Sequence, residues 1–137
     1  MTILVLCTGN SCRSQMAEGW IRHFAGDRAT VYSAGVSPHQ INPRAIAAMA
    51  EAGIDISHHT SNHVDEFLDK DIDVVLTVCD NAKETCPVFP KRTRTVHHAF
   101  HDPSFTVGSD EEIMNDFRRV RDEIRAYAEE FVRTNVV

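Results

Sequence analysis

One stretch near the N-terminus limits what this chain can become. The apolar run Ile3-Leu4-Val5-Leu6 leads straight into Cys7, and Arg13 and Ser14 then open a helical pattern, giving C-x5-R-S. A loop this short between strand and helix turns successive backbone N–H groups toward a common centre, and the helix N-terminus adds partial positive charge. Arg13 can hold two oxygens of one ligand through its planar fork. Thr8, Gly9, Asn10, Ser11, Cys12, Arg13 and Ser14 therefore read as a cradle for a tetrahedral oxyanion. The same field favours a thiolate. Cys7 is expected to have its pKa drawn well below the free value of about 8.5 and to act as a nucleophile, with the Ser14 hydroxyl donating to its sulfur.

Composition narrows the partners. A chain of 137 residues suits one domain spanning residues 1–137, large enough to bury a core without disulfide staples. A net charge of −6, with no basic runs or interleaved aromatics, argues against nucleic acid or an anionic membrane. The N-terminus lacks a basic region and its apolar run is short, so neither signal peptide nor membrane span is expected, and the cytoplasm is the expected compartment. In that reducing setting the four cysteines read as catalytic or metal-binding. Neither Cys7 with Cys12 nor Cys79 with Cys86 has the usual spacing of a zinc half-site. Cys12, facing the first helix, reads as a packed residue.

After the loop, Met16, Ala17, Trp20, Ile21 and Phe24 recur at helical spacing until Gly26. Thr30 to Ala34 is a β-branched strand ended by Gly35. Asn42 caps the next helix, Pro43 occupies its first position and Gly53 closes it. Ile54 to Asn62 reads as loop, followed by a short amphipathic helix around Val64, Phe67 and Leu68. The acidic residues from Asp65 to Asp73 read as a solvated face. Ile72 to Val78 is nearly continuous in Val, Ile and Leu, as a central parallel strand would be, with Cys79 at its end. Asp80 to Pro90 reads as loop with a helical turn and carries Cys86; a strand over Thr93 to Ala99 follows, then a turn holding Asp102. Ser109 and Glu112 form a capping box for a long terminal helix with the stripe Ile113, Phe117, Val120, Ile124, Tyr127 and Phe131.

Strands alternating with helices predict an α/β fold: a single-domain open parallel sheet of about four strands with helices on both faces and the C-x5-R loop after strand 1. Ligands bind such sheets beyond the carboxyl ends of the strands, which places Cys7, Cys79 and Asp102 on one rim. Asp102 is then the natural general acid for a departing oxygen. His97 and His101 are spaced i,i+4 but fall on a strand and a turn, where that spacing does not align them for a metal.

Cys7 to Gly19 resembles the signature loop of the low-molecular-weight protein tyrosine phosphatase superfamily, and Gln15, where the phosphatases usually have proline, makes it most similar to the thioredoxin-coupled arsenate reductase branch. The resemblance extends to Ser33-Ala34-Gly35, Gly53 to Ser57 and Asp102-Pro103. It implies reduction of arsenate to arsenite for detoxification, with Cys7 as nucleophile, Cys79 resolving its adduct, Cys86 carrying the disulfide outward and thioredoxin as reductant. It implies no organic cofactor. In some relatives a potassium ion binds near the cradle, at positions matching Asn10, Glu18, Ser33 and Asn62; those relatives tend to carry aspartate where Asn62 stands, which implies a weaker site or none. The alternative is a phosphatase acting on phosphotyrosine or a small phosphate ester, which would bind the same cradle and have no need of Cys79 and Cys86. Typical tyrosine phosphatases of the superfamily follow Asp-Pro with tyrosines, whereas Ser104-Phe105 stands here.

Overall fold

Four short runs rich in β-branched and aliphatic residues pair into one parallel sheet: β1 (Thr2–Cys7), β2 (Thr30–Gly35), β3 (Val74–Thr77) and β4 (Arg94–His97), in the order β2-β1-β3-β4. The computed structural model describes residues 1–89 and 92–136. Leu6 lies opposite Ala34 on one side and Thr77 on the other, and Thr77 lies opposite His97. The β1 side chains Ile3, Leu4, Val5 and Leu6 are fully buried, which is why that strand is apolar at consecutive positions.

Helix α1 (Arg13–Ala25) lies on one face of the sheet, and α4 (Asp110–Asn135) packs on it and on α2 (Pro43–Glu51). Successive strand residues show the two covered faces: Ser33 donates to Glu18 of α1, whereas Tyr32 stacks against Phe67 in the turn Val64–Phe67 opposite. Asn42 Oδ1 accepts from Arg44 N–H at the start of α2, with Pro43 inside it. Ser109 and Glu112 make the expected reciprocal cap on α4, whose residues Phe117, Val120, Ile124 and Phe131 are buried. No helix among the described residues is long and apolar enough to cross a membrane.

Three elements differ from their sequence reading. The stretches read as strands at 72–78 and 93–99 are longer than β3 and β4, although Val78 N–H still donates to Leu6 O and His98 N–H to Thr77 O just past the paired segments. The expected helix near Leu68 is a single 3-10 turn, since only Val64 and Phe67 are buried there and Leu68 is exposed. The helical turn read within the loop Asp80 to Pro90 is longer than expected, a helix α3 (Asp80–Thr85) with Cys79 at its N-cap and Cys86 at its C-cap; Pro90, the end of the expected loop, lies outside the described residues.

The cradle is wedged against β2 at Gly35. A Cβ there would sit 2.6 Å from the Thr8 carbonyl oxygen and 3.0 Å from Asn10 N, both backbone atoms. Gly35→Ala is expected to destabilise the fold by about 1–3 kcal/mol and to weaken phosphate binding, because only a shift of the loop itself relieves the clash. Urea unfolding and isothermal titration with phosphate check both; unchanged affinity would mean the loop tolerates displacement.

Candidate active site

The cradle is built by turning its carbonyls outward. Cys7 O accepts from Val36 N–H, Thr8 O from Ser37 N–H, Gly9 O from His39 N–H, Ser11 O from Asn42 N–H and Cys12 O from Met16 N–H, over 2.7–3.3 Å. The sixth, Asn10 O, accepts from the Gln15 side-chain amide at 2.9 Å. In a planar trans peptide the next residue's N–H points opposite to each carbonyl, so six outward carbonyls leave the N–H groups from Thr8 to Arg13 facing the interior. Asn10 turns the corner with φ 48, a left-handed conformation that asparagine tolerates, and its Oδ1 accepts from Asn62 N–H. Gln15, which distinguished the two branches in sequence, thus acts as a structural plug. Its amide also donates to Thr60 O, and its Oε1 meets His59 Nδ1.

Cys7 lies at the floor, and its sulfur is coupled to that of Cys79 across the rim of the sheet. The charge is distributed differently from the sequence expectation. The bond to Cys79 and burial push the Cys7 thiol up, although Arg13 and the Thr8 N–H pull the other way. Cys79 is brought down to about 5 by the bond from Cys7, then by the Thr8 hydroxyl at 3.2 Å and the Ala82 N–H. The two sulfurs are coupled, and the same contact that raises Cys7 lowers Cys79. Ser14 does not act on the sulfur; its hydroxyl accepts from Asn10 Nδ2 at 2.8 Å.

Arg13 reaches across the mouth. Its Nη1 donates to Phe100 O and its Nη2 to Asp102 Oδ2, each at 3.1 Å, while its buried Nε has no hydrogen-bond partner among the described residues. Asp102 is held on the other side by Ser104, whose N–H and hydroxyl both donate to Oδ1. The expected acid and the expected anion clamp therefore stand in contact at the opening of a cleft of about 280 Å³. His39, Asn81 and Phe105 also line this cleft and escaped the sequence reading. Asn81, next but one to Cys79, was the one with a positional signal; its Nδ2 donates to Thr8 Oγ1.

The remaining cysteines divide. Cys12 is buried at the start of α1, and burial pushes its thiol up to about 12, which suits a packed residue. Cys86 is half-buried with its thiol raised by burial, and its Sγ–H donates to Pro87 O.

The residues matched to a potassium site do come together, and they do not fit one. Glu18 Oε1 accepts from the Ser33 hydroxyl at 2.6 Å, and Glu18 Oε2 lies 3.0 Å from Arg22 Nε. Asn10 Oδ1 is taken by Asn62 N–H, and the Asn62 side-chain amide donates to Thr60. A guanidinium already supplies the positive charge, and the oxygens face protein donors. His59, lowered to about 4 by burial, stands beside Glu18 as a neutral ring.

A cysteine and an arginine in a backbone cradle at the carboxyl edge of a parallel sheet, with a carboxylate at the mouth, define an oxyanion-binding α/β domain. The sequence profile described as low molecular weight phosphotyrosine protein phosphatase matches residues 2–136, and the chain belongs to that family. It is 50% identical over 132 residues to an arsenate reductase of Halalkalibacterium halodurans, covering 96% of this chain and 95% of that protein. Solved structures of an arsenate reductase in its reduced state and in a phosphate-binding state are 32% and 31% identical, each with a TM-score of 0.75 and 97% of both chains covered.

Absorbance at 240 nm is expected to reveal one thiolate titrating near pH 5 in the reduced protein, rising as pH increases, and Cys79→Ser is expected to remove it. A low titration that survives in Cys79→Ser would put the charge on Cys7. Exchanging sodium for potassium at constant ionic strength is expected to leave the melting temperature unchanged, since an ion bound only to the folded state would raise it. A rise specific to potassium would restore the cation site.

Proposed function

We propose that this chain reduces arsenate to arsenite in the cytoplasm, using Cys7, Cys79 and Cys86 in turn and thioredoxin as the final reductant. The observation that supports this most is the second thiol beside the cradle: Cys79, just past the end of β3, is coupled to Cys7 and meets the Thr8 hydroxyl at 3.2 Å. Ester hydrolysis needs a nucleophile, a clamp and an acid, whereas a two-electron reduction by thiols ends in a disulfide and needs two sulfurs.

The chemistry follows from these positions. Arsenate enters the cradle, with its oxygens on the inward N–H groups and on Arg13. The Cys7 sulfur bonds to arsenic as one arsenate hydroxyl departs as water; Asp102 gives that hydroxyl its proton and recovers one from the Cys7 thiol. The Cys79 thiolate then attacks the Cys7 sulfur. The sulfur–arsenic bond breaks, its electron pair stays on arsenic, and arsenite leaves behind a Cys7–Cys79 disulfide. Cys86 next displaces Cys7 from that bridge, restoring the cradle's nucleophile and leaving Cys79–Cys86. A dithiol such as thioredoxin reduces this second disulfide by exchange, becoming oxidised itself.

The helix between the thiols sets a condition on the last transfer. Seven positions along α3 correspond to about 10 Å of rise, whereas disulfide-bonded Cα atoms lie within about 7 Å. α3 therefore unwinds before Cys86 reaches Cys79.

Arsenate-dependent NADPH oxidation with thioredoxin and its reductase tests the activity. Cys79→Ser is expected to abolish turnover, and Cys86→Ser to complete one reduction and then stall with Cys7 joined to Cys79, as read by peptide mapping. Sustained turnover by Cys86→Ser with thioredoxin as sole reductant would refute the relay. Asp102→Asn is expected to lower the rate by about 10²–10⁴.

A further inference from the structure

A chain of polar contacts outside the cleft runs from the interior of the sheet to the first turn of α3. Thr77, fully buried near the end of β3, meets His97 Nδ1 through its hydroxyl at 2.7 Å, and the two residues are direct register partners. His97 Nε2 lies 2.9 Å from Asp80 Oδ1. Asp80 is the first residue of α3 and the neighbour of Cys79. A carboxylate accepts only, so the neutral ring places its proton on Nε2 and leaves Nδ1 to accept the Thr77 hydroxyl. When the ring is charged, Nδ1–H donates instead and the hydroxyl turns toward Val96 O, 3.4 Å away. The chain is complete in either state.

We infer that Thr77, His97 and Asp80 form a latch that holds α3 wound and thereby sets how readily the Cys79–Cys86 disulfide forms. The inference rests on the relay reading. A six-residue helix is too short to persist on its own, so its stability comes from contacts at its ends. Among the contacts at the N-terminal end, those of Cys79 and of Asn81 with Thr8 lie at the chemistry, whereas Asp80 bonds to His97 outside it. Unwinding α3 to bring Cys86 to Cys79 carries Asp80 off its partner. His97 is thus a positioning residue that favours the dithiol and makes the disulfide a stronger oxidant toward thioredoxin.

The test measures the thiol–disulfide equilibrium of reduced protein with oxidised dithiothreitol, in a Cys7→Ser background that isolates the pair. Each disulfide formed in the protein passes two electrons and two protons to one oxidised dithiothreitol, which becomes its dithiol. His97→Leu is expected to shift the equilibrium three- to tenfold toward the protein disulfide; tenfold corresponds to about 30 mV in the more negative direction. His97→Gln is expected to restore most of the difference, because its amide oxygen and nitrogen have the spacing of the two ring nitrogens. Asp80→Ala is expected to act like His97→Leu, with the double variant no worse than either single one. Amide exchange of α3 in the reduced protein provides a readout independent of disulfide formation and is expected to accelerate by the same factor. The latch is refuted if folded His97→Leu leaves both equilibrium and exchange within twofold of the parent, or if the two substitutions add. If the parent forms no Cys79–Cys86 disulfide at all, the relay reading falls, and exchange alone decides the latch.

Discussion

The outward-facing carbonyls of the loop from Cys7 to Cys12 are the constraint on which the site depends. A peptide group cannot present oxygen and N–H to the same side, so an anion cradle exists only if six carbonyls find donors elsewhere. Four come from the segment after β2, through the N–H groups of Val36, Ser37, His39 and Asn42; Met16 and the Gln15 side chain complete the set. The β2–α2 connection is therefore part of the cradle's wall, and Gly35 is where that wall comes too close for any side chain. Loop conformation, sheet register and helix placement are fixed together.

Within that cradle the electrostatics are local. The chain carries a net charge of −6, so attraction for an oxyanion comes from Arg13 and the aligned N–H groups rather than from the protein's overall field. The charge on the sulfur pair is subject to the same balance. Arg13 acts on both cysteines, but Cys79 also receives the Thr8 hydroxyl and the first free N–H of α3, whereas Cys7 is deeper and loses more to burial.

Much of this was legible in the sequence because each signal was redundant. Cys7 to Ser14 combined spacing, glycine and arginine after a strand; Asn42-Pro43 and Ser109 with Glu112 marked helix starts; the stripe through α4 repeated over about five turns. What escaped depended on one contact at a distance. The length of α3 was hidden because its helix is held by a thiolate cap and by His97, neither of which is a local propensity. The resting charge on Cys79 could not be read because it arises from a neighbour 72 positions away in sequence, brought close by parallel pairing of β1 and β3. Arg22 was invisible as the occupant of the cation position, since an arginine one turn after Glu18 looks like any surface pair until Ser33 encloses that carboxylate.

The thiolate cap links chemistry to conformation in a single atom. In the resting protein the negative Cys79 sulfur accepts from Ala82 N–H at 3.4 Å and meets the Thr8 hydroxyl, so the charge that makes it a nucleophile also holds the first turn of α3. In the proposed relay that charge is spent when Cys79 bonds to Cys7. A disulfide sulfur is a poor acceptor, so the Ala82 N–H and the Thr8 hydroxyl lose most of what they were bonded to, while the helix dipole loses the anion at its N-terminus. The helix that separates Cys86 from Cys79 is therefore weakened by the reaction that creates the need for Cys86, and it is strongest in the reduced protein, where premature approach of Cys86 would compete with the oxyanion. One contact that still restrains α3 after the first disulfide is the bond from His97 to Asp80, which no step of the chemistry touches. The order of the three thiols is enforced by which contacts each oxidation removes.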